Sequence, residues 1–195
     1  MSQRPSLLMY IHGFNSSPLS HKAQVMANYC ATQRPDIKVV VPELPCFPHQ
    51  AAQHLLQVVE QYRHDYQIGL VGSSLGGYFS TWLNQQFGFR AVLVNPAVRP
   101  YELLVDFLGD QENMYTKQRY VLTEAHIDEL KALDVATLRQ PQDFWLLQQT
   151  EDEVLDYRQA VAKFHAAKQT VEPGGDHSFV DFERYPAQIL QFLNL

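Results

Sequence analysis

One serine between two glycines, at the end of an apolar run, restricts this chain more than any other feature. The run Ile68 to Val71 leads into Gly72-Ser73-Ser74-Leu75-Gly76-Gly77, and a helix-compatible run, Tyr78 to Phe87, leads out. In that context a G-x-S-x-G pattern makes a sharp strand-to-helix turn that holds its central serine in a strained backbone conformation. Side chains two residues before and two after the serine would collide across such a turn, and Gly72 and Gly76 carry none. The predicted result is a Ser74 hydroxyl raised at the tip of a sheet. The N–H of Leu75 then points at whatever that hydroxyl meets.

The rest of the chain alternates between strand and helix signals. Leu7 to Ile11 is a continuous apolar run ended by His12-Gly13, which reads as a strand buried on both faces. Ser17-Pro18 offers an N-cap and a first-turn proline for a helix marked by Ala23, Met26, Ala27 and Cys30, and Pro35 closes it. Ile37 to Val41 is a second strand, followed by a loop that Pro42, Pro45 and Pro48 keep stiff and non-helical. Ala51, Leu55, Val58 and Tyr62 mark the next helix. Ala91 to Val94, Phe144 to Leu147 and Thr170-Val171 are further strands, with helices marked by Val154, Tyr157, Val161 and Phe164 and by Ile189, Leu190 and Leu193. This alternation predicts an α/β protein with an open, mostly parallel six-stranded sheet and helices on both faces. Between Arg99 and Gln140 the rhythm breaks. Two helix patterns, Tyr101/Leu104/Val105/Leu108 and Ile127/Leu130/Leu133, flank a polar link from Gly109 to Lys117, and no strand fits well. The expectation is one domain over residues 1–195 with a small helical cap inserted around 99–140.

Composition narrows the partners. A net charge of −6 with no basic cluster argues against nucleic acid and anionic membrane as main partners. Two cysteines, Cys30 and Cys46, make no disulfide framework and fit a reduced, cytoplasmic setting. The apolar run Leu7 to Ile11 is too short for a signal-peptide core, and no run approaches the ~18 residues of a membrane span. No H-E-x-x-H, paired C-x-x-C or other metal spacing is present, so hydrolysis through a metal is not expected.

Ligands in such sheets bind at the carboxyl ends of the strands, and several reactive residues fall there. A serine hydroxyl needs a base, usually histidine, oriented by a carboxylate. In α/β-hydrolases the chain order is serine, acid, histidine. Of the histidines after Ser74, His126 falls inside a cap helix and His165 near a helix end. His177 sits in the tight loop Pro173-Gly174-Gly175-Asp176-His177-Ser178, where a triad base belongs. The acid comes from Glu151, Asp152 or Asp156. Asp152 is preferred, because Glu153 starts the next helix and completes a capping box with Thr150, while Asp156 lies a turn further in. The second oxyanion donor is expected from the N–H of Phe14, after the permissive Gly13, beside that of Leu75. His12 braces that loop rather than moving protons.

These pieces together resemble a known family. Tyr10-Ile11-His12-Gly13-Phe14-Asn15-Ser16-Ser17-Pro18, the Ser74 turn through Tyr78, Asn95-Pro96-Ala97, Asp152 to Tyr157 and Gly174 to Phe179 are similar to the YqiA-type esterases, small bacterial members of the α/β-hydrolase superfamily. The resemblance spans nearly the whole chain. It implies a serine esterase acting on small-molecule carboxylic esters, with acyl thioesters such as acyl-CoA among the candidates, and no metal or organic cofactor. It places nucleophile, acid and base on Ser74, Asp152 and His177. The chain departs from the common hydrolase pattern at Glu151, where glycine is usual before the aspartate. Leu44 and Phe47 from the loop after the second strand, with Tyr101 and Leu104 from the cap, are candidates for an acyl pocket, although such stripes also serve as plain core. An acyltransferase or peptidase using the same triad, or a non-catalytic binding protein on this fold, remain the alternatives.

Overall fold

The structure, a computed structural model, describes residues 4–195. Six strands form one parallel sheet: β1 (Ser6–Ile11), β2 (Lys38–Val40), β3 (Gln67–Ser73), β4 (Ala91–Val94), β7 (Phe144–Gln149) and β8 (Lys168–Glu172). Their order is β2-β1-β3-β4-β7-β8, so the chain reverses its direction of travel between β1 and β3. At such a switch point the loops leaving adjacent strands part and open a crevice. Here those loops carry Phe14 and Ser74.

Each central strand divides its side chains between two cores, as a period of two requires. Leu7, Met9 and Ile11 of β1, Leu93 of β4 and Leu146 of β7 face one side. Leu8, Tyr10, Val92, Val94, Trp145 and Leu147 face the other. The first core is closed by α2 (Pro48–Tyr62), α3 (Leu75–Phe87) and α6 (Tyr157–Lys163). The second is closed by α1 (His21–Gln33) and α7 (Pro186–Leu193). This is why the central strands read as largely apolar runs: neither face of β1, β3, β4 or β7 is open to water. Each fully buried aliphatic side chain contributes about 1.5–3 kcal/mol relative to leaving it exposed.

Local details differ from the sequence reading in four places. Helix α1 starts at His21 with Ser20, not Ser17, as its N-cap residue. The Ser17 hydroxyl accepts the Leu19 N–H, and Ser20 N–H bonds back to the Ser17 carbonyl, so a turn comes before the helix. Pro48 does not extend the stiff loop but opens α2, where its missing N–H costs nothing. Helix α6 starts at Tyr157, and Asp156 caps it by accepting the Arg158 N–H. Thr150 and Glu153 therefore make no capping box, and both side chains turn to the loop around His177: Thr150 accepts the Gly174 N–H and Glu153 the His177 N–H.

The fourth difference is in the excursion between β4 and β7. Its ends are helical, α4 (Pro100–Leu103) with a 3₁₀ turn at Leu104–Phe107, and α5 (Glu124–Lys131). The link between them is not an irregular polar segment. It is an antiparallel hairpin of β5 (Gly109–Glu112) and β6 (Arg119–Leu122). Only β6 alternates buried and exposed residues, with Tyr120 and Leu122 inward, and β5 reads Gly-Asp-Gln-Glu. A four-residue strand of that composition gives almost no sequence signal. Tyr120, Leu122, Ile127 and Leu130 form a small core of their own over Tyr78 and Leu104.

The turn after β3 is closely packed against backbone. A Cβ on Gly76 would land on the Ile11 carbonyl, and one on Gly72 would land between the Gly76 carbonyl and the Ser80 hydroxyl. Overpacking typically costs about 1–3 kcal/mol, and more where backbone rather than side chain must yield. Gly76→Ala should therefore lower the urea midpoint far more than Gly88→Ala, whose Cβ would meet open space at a positive φ. Equal midpoints for the two variants would contradict this account.

Candidate active site

Ser74 sits between β3 and α3 with φ 54° and ψ −121°. An L residue rarely adopts such a conformation, and it persists only where its surroundings fix it. Ser74 N–H donates to the Val94 carbonyl at 3.2 Å, and the Ser74 carbonyl accepts from Gly77 at 2.9 Å and Ala97 at 3.0 Å. The strained residue is thus tied to the ends of β4 and α3 at once.

His177 reaches it from the loop after β8. Its Nε2 lies 3.1 Å from Ser74 Oγ, and its Nδ1 lies 2.9 Å from both oxygens of Asp152. The Asp152 side chain is closed to solvent, whereas that of His177 is 22% exposed. One Asp152 oxygen also accepts the N–H groups of Val154 at 2.9 Å and Leu155 at 2.8 Å. A buried carboxylate so furnished with donors is held in one orientation. Of the three candidate acids, only Asp152 touches His177 with its side chain. Glu151 is exposed and contributes a backbone N–H to the Gly174 carbonyl, and Asp156 faces Arg158. His126 caps α5 and stacks on Phe47 at 4.4 Å, and His165 lies exposed just past α6.

The loop after β1 passes over the serine. A Cβ on Gly13 would come within 3.2 Å of Ser74 Cβ, so glycine allows that approach. The N–H groups of Phe14 and Leu75 make no hydrogen bond among the described residues. His12 is buried, its Nε2 accepts the Leu44 N–H at 3.2 Å, and burial lowers its pKa. It braces the loop, as its position implied.

The contacts that several residues make around this site escaped the sequence reading. Asn95 is fully buried with φ 40°. Its Nδ2 donates to the carbonyls of Asp176 at 2.8 Å and His177 at 3.2 Å, and its Oδ1 accepts from Gln148 at 3.0 Å and the Gln149 N–H at 2.9 Å. Gln149 Oε1 accepts the N–H groups of Asp176 and Val180. Glu153 accepts the His177 N–H, and hydrogen bonds from its own backbone N–H and from that of His177 hold its pKa below the ordinary carboxylate value. Lys22, from α1, donates to the Ser178 carbonyl at 2.8 Å. Apart from the Asn-Pro step after a strand, none of these has a motif, since each acts by meeting a loop distant in sequence.

Two hollows meet at the Gly13–Ser16 loop. One is a polar groove of about 300 Å³ lined by Ser74, His177, Lys22, Tyr115 and Ser178. The other is a narrow apolar cavity, about 30 Å³, lined by Leu44, Phe47, Ala51, Leu75, Phe79 and Leu104. Leu44, Phe47 and Leu104 thus share one cavity. Tyr101 does not join them: it lines a separate groove with Arg99, Asp134 and Lys163, because α4 turns it to the far side of the cap. Among the described residues no cluster of histidine, cysteine or carboxylate side chains could hold a metal ion, and no helix is long and apolar enough to cross a membrane.

Sheet order, the turn at Ser74 and the excursion after β4 define an α/β-hydrolase fold. The chain belongs to the uncharacterised protein family UPF0227, whose pattern it matches over residues 7–194, and with it to the YqiA-type members of the α/β-hydrolase superfamily. It is 30% identical over 100 residues to the UPF0227 protein YcfP of Escherichia coli O139:H28, a match covering 49% of this chain and 53% of that protein. The match to this curated relative thus spans about half its length. Among solved structures, the α/β hydrolase domain-containing protein 10 from mouse superposes with a TM-score of 0.74 at 15% identity, covering all of this chain (100%) and 92% of that one. Est1E from Butyrivibrio proteoclasticus, in its complex with ferulic acid, superposes with a TM-score of 0.73 at 14% identity, over 99% of this chain and 90% of that one.

Burial lowers the Lys22 ammonium to about 8, against the pull of Asp176 and Asp152. In the folded chain it should give up its proton near that value, whereas unfolded it keeps the proton up to an ordinary ~10.4. Between those values the unfolded state binds the extra proton, so stability should rise with pH relative to Lys22→Met. Urea unfolding of the two proteins at pH 7.5 and at pH 9.5 checks the sign, and a gap that fails to change in that direction contradicts it.

Proposed function

We propose that this chain is a serine esterase that hydrolyses small carboxylic esters, thioesters of the same acids included, through an acyl-enzyme. The observation that carries the reading is the unbroken relay Ser74 Oγ–His177 Nε2–His177 Nδ1–Asp152, at 3.1 Å and 2.9 Å, on a serine with a positive φ. That geometry suits one chemistry. As Ser74 Oγ attacks the acyl carbon, His177 Nε2 takes its proton, and Asp152 holds the Nδ1–H tautomer and stabilises the imidazolium. The carbonyl oxygen becomes an oxyanion in front of the Phe14 and Leu75 N–H groups. Collapse breaks the bond to the leaving oxygen or sulfur, and His177 returns its proton to that atom. Water then attacks the acyl-Ser74 ester, His177 takes one of its protons, and the acid leaves as Ser74 regains its hydrogen.

The two hollows suggest how a substrate lies. The apolar cavity beside Leu75 accepts the acyl group, and the polar groove beside His177 accepts the leaving alcohol or thiol. The superposition on the α/β hydrolase domain-containing protein and on Est1E in its complex with the carboxylic acid ferulic acid agrees with the reading at the level of fold.

Ser74→Ala should lose ester hydrolysis by ~10⁴- to 10⁶-fold in kcat while folding normally, and Ser73→Ala should remain active. A fluorophosphonate should label the wild type on Ser74 and leave Ser74→Ala unlabelled. Full activity in Ser74→Ala would overturn the assignment.

Asp152→Asn should cost about 10⁴ in kcat, because an amide favours the wrong histidine tautomer. Glu151→Gln should leave kcat within about threefold, since only its backbone meets the site and an exposed charge acts weakly. A larger loss at Glu151 would move the acid to that residue.

A further inference from the structure

The reaction needs the Phe14 N–H at a fixed place, yet the loop that carries it does little to hold itself. From Phe14 to Ser16 every hydrogen bond among the described residues runs to the hairpin of the cap. Tyr120 Oη donates to Asn15 Oδ1 at 2.7 Å, and Asn15 Nδ2 donates to Gln111 Oε1 at 3.3 Å. Asn113 Nδ2 donates to the Ser16 carbonyl at 3.0 Å. Asn15 lies between two of these contacts with φ 50°, a conformation that asparagine tolerates better than most residues but that needs outside support.

The donors are themselves fixed. Asn113 and Tyr120 are buried. Asn113 Oδ1 accepts the N–H groups of Tyr115 at 2.9 Å and Thr116 at 3.1 Å, which leaves its amide nitrogen aimed at Ser16. The Tyr120 ring stands edge-on to Phe47 at 5.6 Å. Burial raises the Tyr120 phenol above its ordinary value, so it remains a donor through neutral and mildly alkaline pH. The hairpin is thus joined by polar bonds to the one loop whose backbone must be exact to a fraction of an ångström.

We propose that Tyr120 and Asn113 are positioning residues, through which the cap hairpin holds the Phe14 N–H in the oxyanion site above Ser74. The proposal rests on the serine-esterase reading for its catalytic consequence, but not for the clamp itself. The oxyanion develops only as the reaction proceeds, so a loosened clamp should raise the barrier more than it weakens the Michaelis complex. Removing an oxyanion donor outright costs about 10²–10³ in kcat, and misplacing one should cost a good part of that.

The test uses Tyr120→Phe, which removes one oxygen, and Asn113→Ala, with Val121→Ser as a control on the solvent face of the same hairpin. Hydrolysis of p-nitrophenyl acetate is measured alongside the ¹⁵N relaxation of the Phe14 amide. We expect kcat to fall about 10-fold or more in both clamp variants with KM within about twofold, a more mobile Phe14 amide, and no change in Val121→Ser. The variants cut different bonds, so a folding failure in one leaves the other to decide. An unchanged kcat, a rise in KM alone, or a fall in kcat with the Phe14 amide as rigid as in the wild type would each overturn the proposal. If the wild type shows no Ser74-dependent hydrolysis, it is the functional reading that fails. The amide relaxation then decides the clamp by itself, with mobility supporting it and rigidity overturning it.

Discussion

Everything near the site depends on the close contact between the Ile11 carbonyl and Gly76. Where a Cβ would land on that oxygen, its absence lets the start of α3 press against the end of β1. That contact has two consequences. It forces the chain at Ser74 into its positive φ, since no relaxed turn fits in the space. It also brings the loop after β1 across the serine, so that Gly13 arrives beside Ser74. The strain at one residue is small against the burial of α3 on the sheet, which is why the fold can sustain it.

The parallel sheet does the rest of the placing. Parallel strands all end on the same side, so the loops after β1, β3, β4, β7 and β8 share one rim. Each supplies something different: Phe14, Ser74, Asn95, Asp152 and His177. The rim alone would leave the longer loops loose. The His177 loop is tied by Asn95 and Gln149 to the ends of β4 and β7, by Glu153 to the loop after β7, and by Lys22 to α1. These bonds run mostly between side chains and backbone, which fixes the path of a loop without asking for regular structure.

The cap has two kinds of attachment. Its apolar side rests on Tyr78 and Leu104 and closes the narrow cavity with Leu122. Its polar contacts go to Asn15 and Ser16. The groove beside His177 stays open and polar. The apolar cavity is therefore narrow, while the groove beside Ser74 and His177 is roomy.

The six strands of the main sheet, most helices and the turn at Ser74 were legible in the sequence. Each rests on local chemistry: apolar runs, helical spacing, and glycines where a turn admits nothing larger. The capping box offered in support of Asp152 does not form, because Thr150 and Glu153 are drawn to the His177 loop instead. What only the tertiary structure decided lies where partners are far apart in the chain. Asn95 and Asp176 are 81 residues apart, and Asn15 and Tyr120 are 105 apart. The hairpin is strand because β5 and β6 pair with each other over the core of the cap, not because Gly-Asp-Gln-Glu favours extension. Tyr101 leaves the cavity for the same kind of reason: a four-residue helix has no periodicity long enough to fix its face, so packing on the neighbouring helix sets it. Local propensity fixed what the segments of the main sheet and its covering helices are, and non-local packing fixed the hairpin and what each side chain meets.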